Sequence, residues 1–231
     1  MYLQDSNQDV PWFNYLQGYN LNEHDVRKAH DFFKGKSFKW CIYNNDEETL
    51  QTVNPEIYLL EDFFYEMMLD IPTFKRDHPL RQDLTCISIT TEEELAIWCS
   101  LVACAFKAPY EKIYQYHNAL FHCNNKNIFW LLGFYQETPV AALLVILHPN
   151  SLGLHYGAVD HRYQKHGFGA EIIAQALHRE YPFNPPYVVA RTGSKGKKWC
   201  EKIGFTVVNE GFSYLYLSKD MKSYLQTKHT T

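Results

Sequence analysis

Ala158-Val159-Asp160-His161-Arg162-Tyr163-Gln164-Lys165-His166-Gly167-Phe168-Gly169-Ala170 is the stretch on which the fold turns. It starts at the end of an apolar run, 152–159, and finishes where a helical period begins, with Ile172, Ile173, Ala176 and Leu177 on one side. A loop that closes on two glycines at a helix start gathers backbone N–H groups at the positive end of the helix dipole. Glycine admits positive φ and close backbone approach, and Lys165 and His166 add charge at the rim. The segment therefore reads as an anion site suited to a pyrophosphate. A dinucleotide fingerprint would need a third glycine where Ile172 stands, and a Walker loop would need Gly-Lys-Ser/Thr after the second glycine; both patterns fail.

Outward from this loop the punctuation places the other elements. Runs 128–135, 140–147 and 152–159 are strand-like and joined by short turns, which makes consecutive strands antiparallel. The helix 169–181 and a strand at 187–192 complete a βαβ crossover, so 152–159 and 187–192 run parallel. A short helix at 195–202 ends at Gly204, and strands are expected at 205–208 and 212–217. Upstream lie a strand at 84–89, a helix opened by the Thr91/Glu94 capping box, and a helix opened by Pro109 at its first position. The expected fold class is α/β (α+β): a mixed, mostly antiparallel sheet with one parallel βαβ pair, whose carboxyl end is where a ligand enters.

The first 83 residues repeat the last part of this series in weakened form. A helix at 23–33, a strand at 38–43, a short helix at 46–51 and a hairpin at 56–70 follow the same order, and Phe64, Met67 and Leu69 fall 148 residues before Phe212, Leu215 and Leu217. That order and offset point to duplication. The chain has no glycine between Gly35 and Gly133, so the first copy lacks the phosphate-binding loop. The expected division is 1–83 and 84–231.

The composition narrows the function classes. The 231 residues carry 22 basic and 26 acidic side chains, a net charge of -4, with no basic block beyond 195–198, which argues against a nucleic-acid partner. The amino-terminal dozen residues lack a leader pattern, and the longest apolar run, 140–147, is too short for a membrane span; the chain is expected to be soluble and cytoplasmic. Six scattered cysteines without CxxC pairs read as reduced core residues. His117, His122 and Cys123 do not share one helical face, and no metal is expected. Aromatic residues make up 16%, and Trp12, Trp40, Tyr43, Phe64, Tyr110 and Tyr114 are candidates for the walls of an acceptor pocket.

The run Gln164-x-x-Gly167-x-Gly169 after an Ala-Val strand end, followed by Cys200-Glu201-Lys202-Ile203-Gly204-Phe205, resembles the GNAT superfamily of N-acyltransferases. The resemblance covers 84–218 in element order, and 1–83 is similar to the degenerate half of tandem members. It implies an acyl-CoA N-acyltransferase fold, acetyl-CoA as co-substrate, and contacts to it from Ala158, Val159, Gln164, Lys165, His166, Gly167, Phe168, Gly169 and Ala170. Two positions depart from the family pattern: His161 stands for a proline, and Cys200 stands where many members carry a tyrosine general acid.

The activity implied is transfer of an acetyl group to a primary amine, of a small molecule in the first reading, of a protein or peptide in a second. In a third reading the chain is an acyl-CoA-binding regulatory module without turnover. An alkylamine with a pKa near 10.4 needs help to lose its proton at neutral pH, and His155 in the third strand titrates in the right range to be the base. A hydrogen-bonded structural histidine is the alternative. Strand alternation puts Tyr156 on the face opposite His155. Cys200 is the candidate proton donor to the leaving thiolate, or a core cysteine. Thr192 and Ser194 are candidates to bind acceptor or pantetheine, with helix capping by Ser194 as the alternative.

Overall fold

The computed structural model describes residues 1–6, 9, 11, 14–77, 80 and 84–220, of 75–77 the backbone only; Trp12 lies outside them. In chain order the elements are β1 (Tyr2–Gln4), β2 (Tyr15–Gln17), α1 (Glu23–Phe33), β3 (Phe38–Tyr43), α2 (Glu47–Gln51), β4 (Leu59–Asp70), α3 (Ile71–Asp77), β5 (Thr85–Ser88), α4 (Glu92–Phe106), α5 (Tyr110–His122), β6 (Ile128–Tyr135), β7 (Thr138–His148), β8 (Ser151–Val159), α6 (Phe168–His178), β9 (Tyr187–Gly193), α7 (Ser194–Lys202) and β10 (Thr206–Tyr216).

Local chemistry explains most boundaries. Asn22 with Asp25, and Thr91 with Glu94, form reciprocal capping boxes that open α1 and α4, and both helices stop at a lysine in the left-handed conformation, Lys34 and Lys107. Pro109 caps α5 one position earlier than expected, at the N-cap. Gln136 and Glu137, both with positive φ, form the two-residue turn between β6 and β7, the geometry that matches the right-handed twist of a hairpin.

Two expected breaks are absent. The hairpin expected at 56–70 is the single strand β4, and the two strands expected at 205–208 and 212–217 are the single strand β10. In each case turn-like residues do other work. Glu61 pairs with Lys39 at 2.7 Å, and Asp62 accepts hydrogen bonds from the Ser194 backbone N–H (3.0 Å) and hydroxyl (2.6 Å). Gly211 is a point of close approach inside a strand: a Cβ there would stand 2.7 Å from the Phe64 ring and 2.1 Å from the Ile42 carbonyl oxygen.

The contacts divide the chain into two compact units that interleave in sequence. One comprises Met1–Glu66, Thr192–Lys197 and the described residues of Val207–Thr231; the other comprises Met67–Arg191 and Lys198–Thr206. Within the first, the strand order is β1-β2-β3-β10-β4, with β2 and β3 parallel around α1, a second parallel pair besides the one expected. Its core is Leu16, Leu21, Ala29, Phe33, Phe38, Trp40, Ile42 and Tyr58. Trp40 is wholly buried there and packs that core.

Within the second unit the order is β4-β9-β8-β7-β6-β5, antiparallel from β5 to β8 and parallel between β8 and β9. The fold is thus mixed and mostly antiparallel. Val140 to Val145 are all buried, as a strand covered on both faces requires. Leu152 and Leu177 line one cavity, which identifies the Leu152/Leu154 side as the α6 side; α4 covers the other through Leu95, Trp98, Cys99 and Val102. At the sheet edge, Gln175 donates to the Leu84 carbonyl and Arg179 to the Cys86 carbonyl, tying β5 to α6.

Candidate active site

The second unit opens at the carboxyl end of its parallel pair. The β8–β9 ladder runs from Ser151↔Tyr187 to Leu154↔Ala190 and stops, although β8 continues to Val159. Beyond Leu154 the edge of β8 that faced β9 is no longer occupied by that ladder, at the carboxyl end of a parallel pair where ligands enter folds of this kind.

On its other edge the same stretch carries a bulge. Leu144 pairs with His155 and Ala142 with Ala158, so Tyr156 and Gly157 together oppose Leu143. Tyr156 takes a left-handed φ of 51°. The Trp98 indole N–H donates to the Leu143 carbonyl at 3.3 Å, satisfying an acceptor at the bulge. The bulge also breaks strand alternation: the Tyr156 ring lies among Trp98, Phe106 and His117 on the α4 side, the side His155 occupies. The expectation that His155 and Tyr156 point to opposite faces fails because alternation holds only while each residue has one partner across the ladder.

The loop after β8 is built by short-range bonds. The Asp160 backbone N–H donates to the Val140 carbonyl, and its carboxylate takes three hydrogen bonds from Arg162, which hold its pKa down to about 2. His161 to Tyr163 form one turn of 3-10 helix, and the Gln164 side chain donates to the Val159 carbonyl at 3.4 Å. Lys165 and Gly167 are both left-handed, with φ of 69° and 89°. Helical bonding begins with Glu171 N–H to the Gly167 carbonyl, so the N–H groups of the first turn, from Phe168 to Ala170, have no helical acceptor and point out of the helix end.

The residues expected at the co-substrate fall into two kinds. Gln164, Lys165, His166 and Gly167 are exposed around the turn. The Phe168 side chain is buried, 5.1 Å from the Tyr135 ring, so it anchors the helix start and has only its N–H to offer a ligand. Gly169 is needed for close approach: a Cβ would stand 3.1 Å from Trp199 and 3.4 Å from Val159. Trp199, 37% exposed, thus overhangs the helix start; sequence reasoning missed it, and Gly169 was the only signal that something large stood near.

His155 stands beside Arg191 on the neighbouring strand, just past the last ladder pair, and its imidazole leans over Gly153. Partial burial lowers its pKa first, and the positive charges of Arg191 and His148 lower it further, so the neutral, proton-accepting form holds at pH 7. Cys200 is buried in α7, and burial pushes its thiol up to about 11. His117, also buried, accepts from the Trp130 indole, and burial holds its pKa at about 3. All six cysteines are free thiols. Ser194 has its hydroxyl and N–H on Asp62. Among the described residues no helix is long and apolar enough to cross a membrane.

No protein-family model matches the chain, and no curated protein is significantly similar to it. Solved structures do resemble it. A functionally unknown conserved protein from Staphylococcus epidermidis superimposes with a TM-score of 0.71 at 13% identity, over 92% of this chain and 88% of that one. A GCN5-related N-acetyltransferase from Kribbella flavida gives 0.63 at 9% identity, over 94% and 86%. A tandem GNAT protein from the clavulanic acid biosynthesis pathway gives 0.61 at 10% identity, over 83% and 68%. At such identities the likeness is one of fold, and the fold over most of the chain is that of the GNAT N-acetyltransferases.

Proposed function

We propose that the chain is an acetyl-CoA-dependent N-acetyltransferase acting on a primary amine of a small molecule, in the cytoplasm. The observation that carries this reading is the bulged end of β8, past its ladder with β9, leading into a glycine turn whose helix start presents N–H groups without helical acceptors. That arrangement fits acetyl-CoA: the first-turn N–H groups, with Lys165 at the rim, suit its pyrophosphate, and the open β8 edge suits the amide-bearing arm behind it.

When bound, acetyl-CoA supplies an acetyl thioester. We assign the Val159 backbone N–H as the donor to its carbonyl oxygen as negative charge develops there; the Asp160 N–H is already engaged by the Val140 carbonyl. His155, neutral at pH 7, takes the proton that the amine loses as its nitrogen bonds to the acetyl carbon. The departing thiolate has a parent pKa of about 8.5, so it needs little acid assistance. Cys200, with its pKa raised to about 11, is poorly matched to that donation, and we read it as a packing residue. We read 1–83 as a worn copy of the region from α6 to β10, since α1, β3, α2 and β4 begin between 145 and 149 residues before α6, β9, α7 and β10.

Calorimetric titration with acetyl-CoA tests the first half of the reading, with micromolar binding expected and no heat at millimolar concentration refuting it. Thiol release across a panel of amines tests the second. Binding without amine-dependent release would instead establish the regulatory module that the cysteine at position 200 also accommodates.

A further inference from the structure

Tyr156 is the one residue within the described strands whose φ is positive. A bulky aromatic side chain is rare in that conformation, because its Cβ crowds the backbone. The adjacent Gly157 would take it without strain, yet the tyrosine occupies it. Its ring is held edge-on by Trp98 at 6.1 Å and His117 at 4.9 Å, both wholly buried, and by Phe106 at 6.1 Å. Phe106 is 40% exposed and Tyr156 is half-buried. The bulge therefore presents an aromatic surface beside His155, on the stretch of β8 that has left β9. Strain of this kind persists where the surroundings over-determine it, and it clusters at ligand sites.

We propose that Tyr156, backed by Trp98 and flanked by Phe106, contacts the acceptor and selects amines that carry a flat or apolar body. This rests on the acyltransferase reading. A ring or apolar body on the acceptor gains contact area and edge-to-face packing from this surface, whereas a short alkylamine has nothing to lay against it. The probes are phenethylamine and ethylamine, followed by saturation-transfer NMR on the full chain with and without CoA. The variants are Tyr156→Gly, which keeps the left-handed backbone, and Tyr156→Phe, which keeps the ring.

Phenethylamine is expected to bind the native chain and Tyr156→Phe at least tenfold more tightly than Tyr156→Gly, with ethylamine equally weak in all three. Should Tyr156→Gly fail to fold, Phe106→Ala is expected to show the same selective loss. Absence of phenethylamine binding to the native chain, unchanged binding in the variants, or equal weakening of both amines would overturn the proposal. Ring-dependent phenethylamine binding in a chain that does not bind CoA would support the aromatic subsite while removing the acyltransferase reading.

Discussion

Replacing Gly167 by alanine separates the conformational demand of the loop from its chemistry. Its φ of 89° lies in the region where an L side chain crowds the backbone, and the residue is exposed, so the added methyl meets strain rather than packing. The left-handed conformation costs a non-glycine residue about 1–2 kcal/mol. At about 2–4 °C per kcal/mol for a chain of this size, the melting temperature should fall by roughly 2–8 °C. The strain can be relieved only by turning the peptide that opens α6, which misaligns the first-turn N–H groups. Loss of one hydrogen bond to a charged phosphate oxygen is worth about 1.5–3 kcal/mol, or roughly 10- to 150-fold in the acetyl-CoA dissociation constant. Lys165→Gly is the control: its left-handed φ of 69° suits glycine, so the variant should melt no lower and lose only the rim charge, less than about fivefold in affinity. Calorimetry on the three proteins decides the matter. If Gly167→Ala melts lower as expected yet binds acetyl-CoA as tightly as the native chain, the phosphates do not sit at this turn.

Other consequences can be measured directly. His117 binds its proton with a pKa near 3 when folded and about 6.5 when unfolded, so the unfolded chain holds more protons below pH 6.5 and stability declines as pH falls through that window. Urea melts at pH 7 and pH 5 should differ by about 2 kcal/mol more in the native chain than in His117→Gln, and an equal difference would remove the argument. The rate of acetyl transfer should fall on the acid side with an apparent pKa below 6.5, and Arg191→Ala should move that limb upward; a limb that stays put would exclude His155 as the base. Gly211→Ala should cost about 3 kcal/mol or more in denaturant melts, because its methyl meets a backbone oxygen that cannot step aside; trimming Phe64 as well should restore only part of it. Trp98→Phe should cost about 1–3 kcal/mol, leaving the Leu143 carbonyl at the bulge without its donor, and a neutral effect would show that another group takes the indole's place.

The parts of this molecule that could be read from its residues are those governed by neighbours in the chain. Asn22 and Thr91 announce helix starts because a cap bonds three residues ahead, and Gly167 announces a left-handed turn because only glycine enters that region at no cost. The strand–loop–helix order around Gln164 to Ala170 was legible for the same reason. The departures come from partners distant in sequence. Glu61, Asp62 and Gly211 have turn-like character, but their roles are set by Lys39, Ser194 and Phe64, none of which a local window contains. The bulge at Tyr156 depends on how many residues of β7 lie opposite β8, so a strict two-residue period placed that ring on the wrong face. Trp199 was missed because its place over Gly169 follows from how α7 packs on the start of α6.

Sequence by itself determined the element order from β5 to α7, the caps, the parallel crossover and the glycine turn at the start of α6, since these follow from short-range hydrogen bonding and from which residues tolerate positive φ. Tertiary structure alone decided that β4 and β10 are unbroken, that β8 parts from β9 after Leu154, and that His155 and Tyr156 share one side of the sheet. The physical reason is that ladder register and strand continuity are collective properties: each is fixed by partners on another strand, and one extra residue in a ladder re-aims the side chains that follow it.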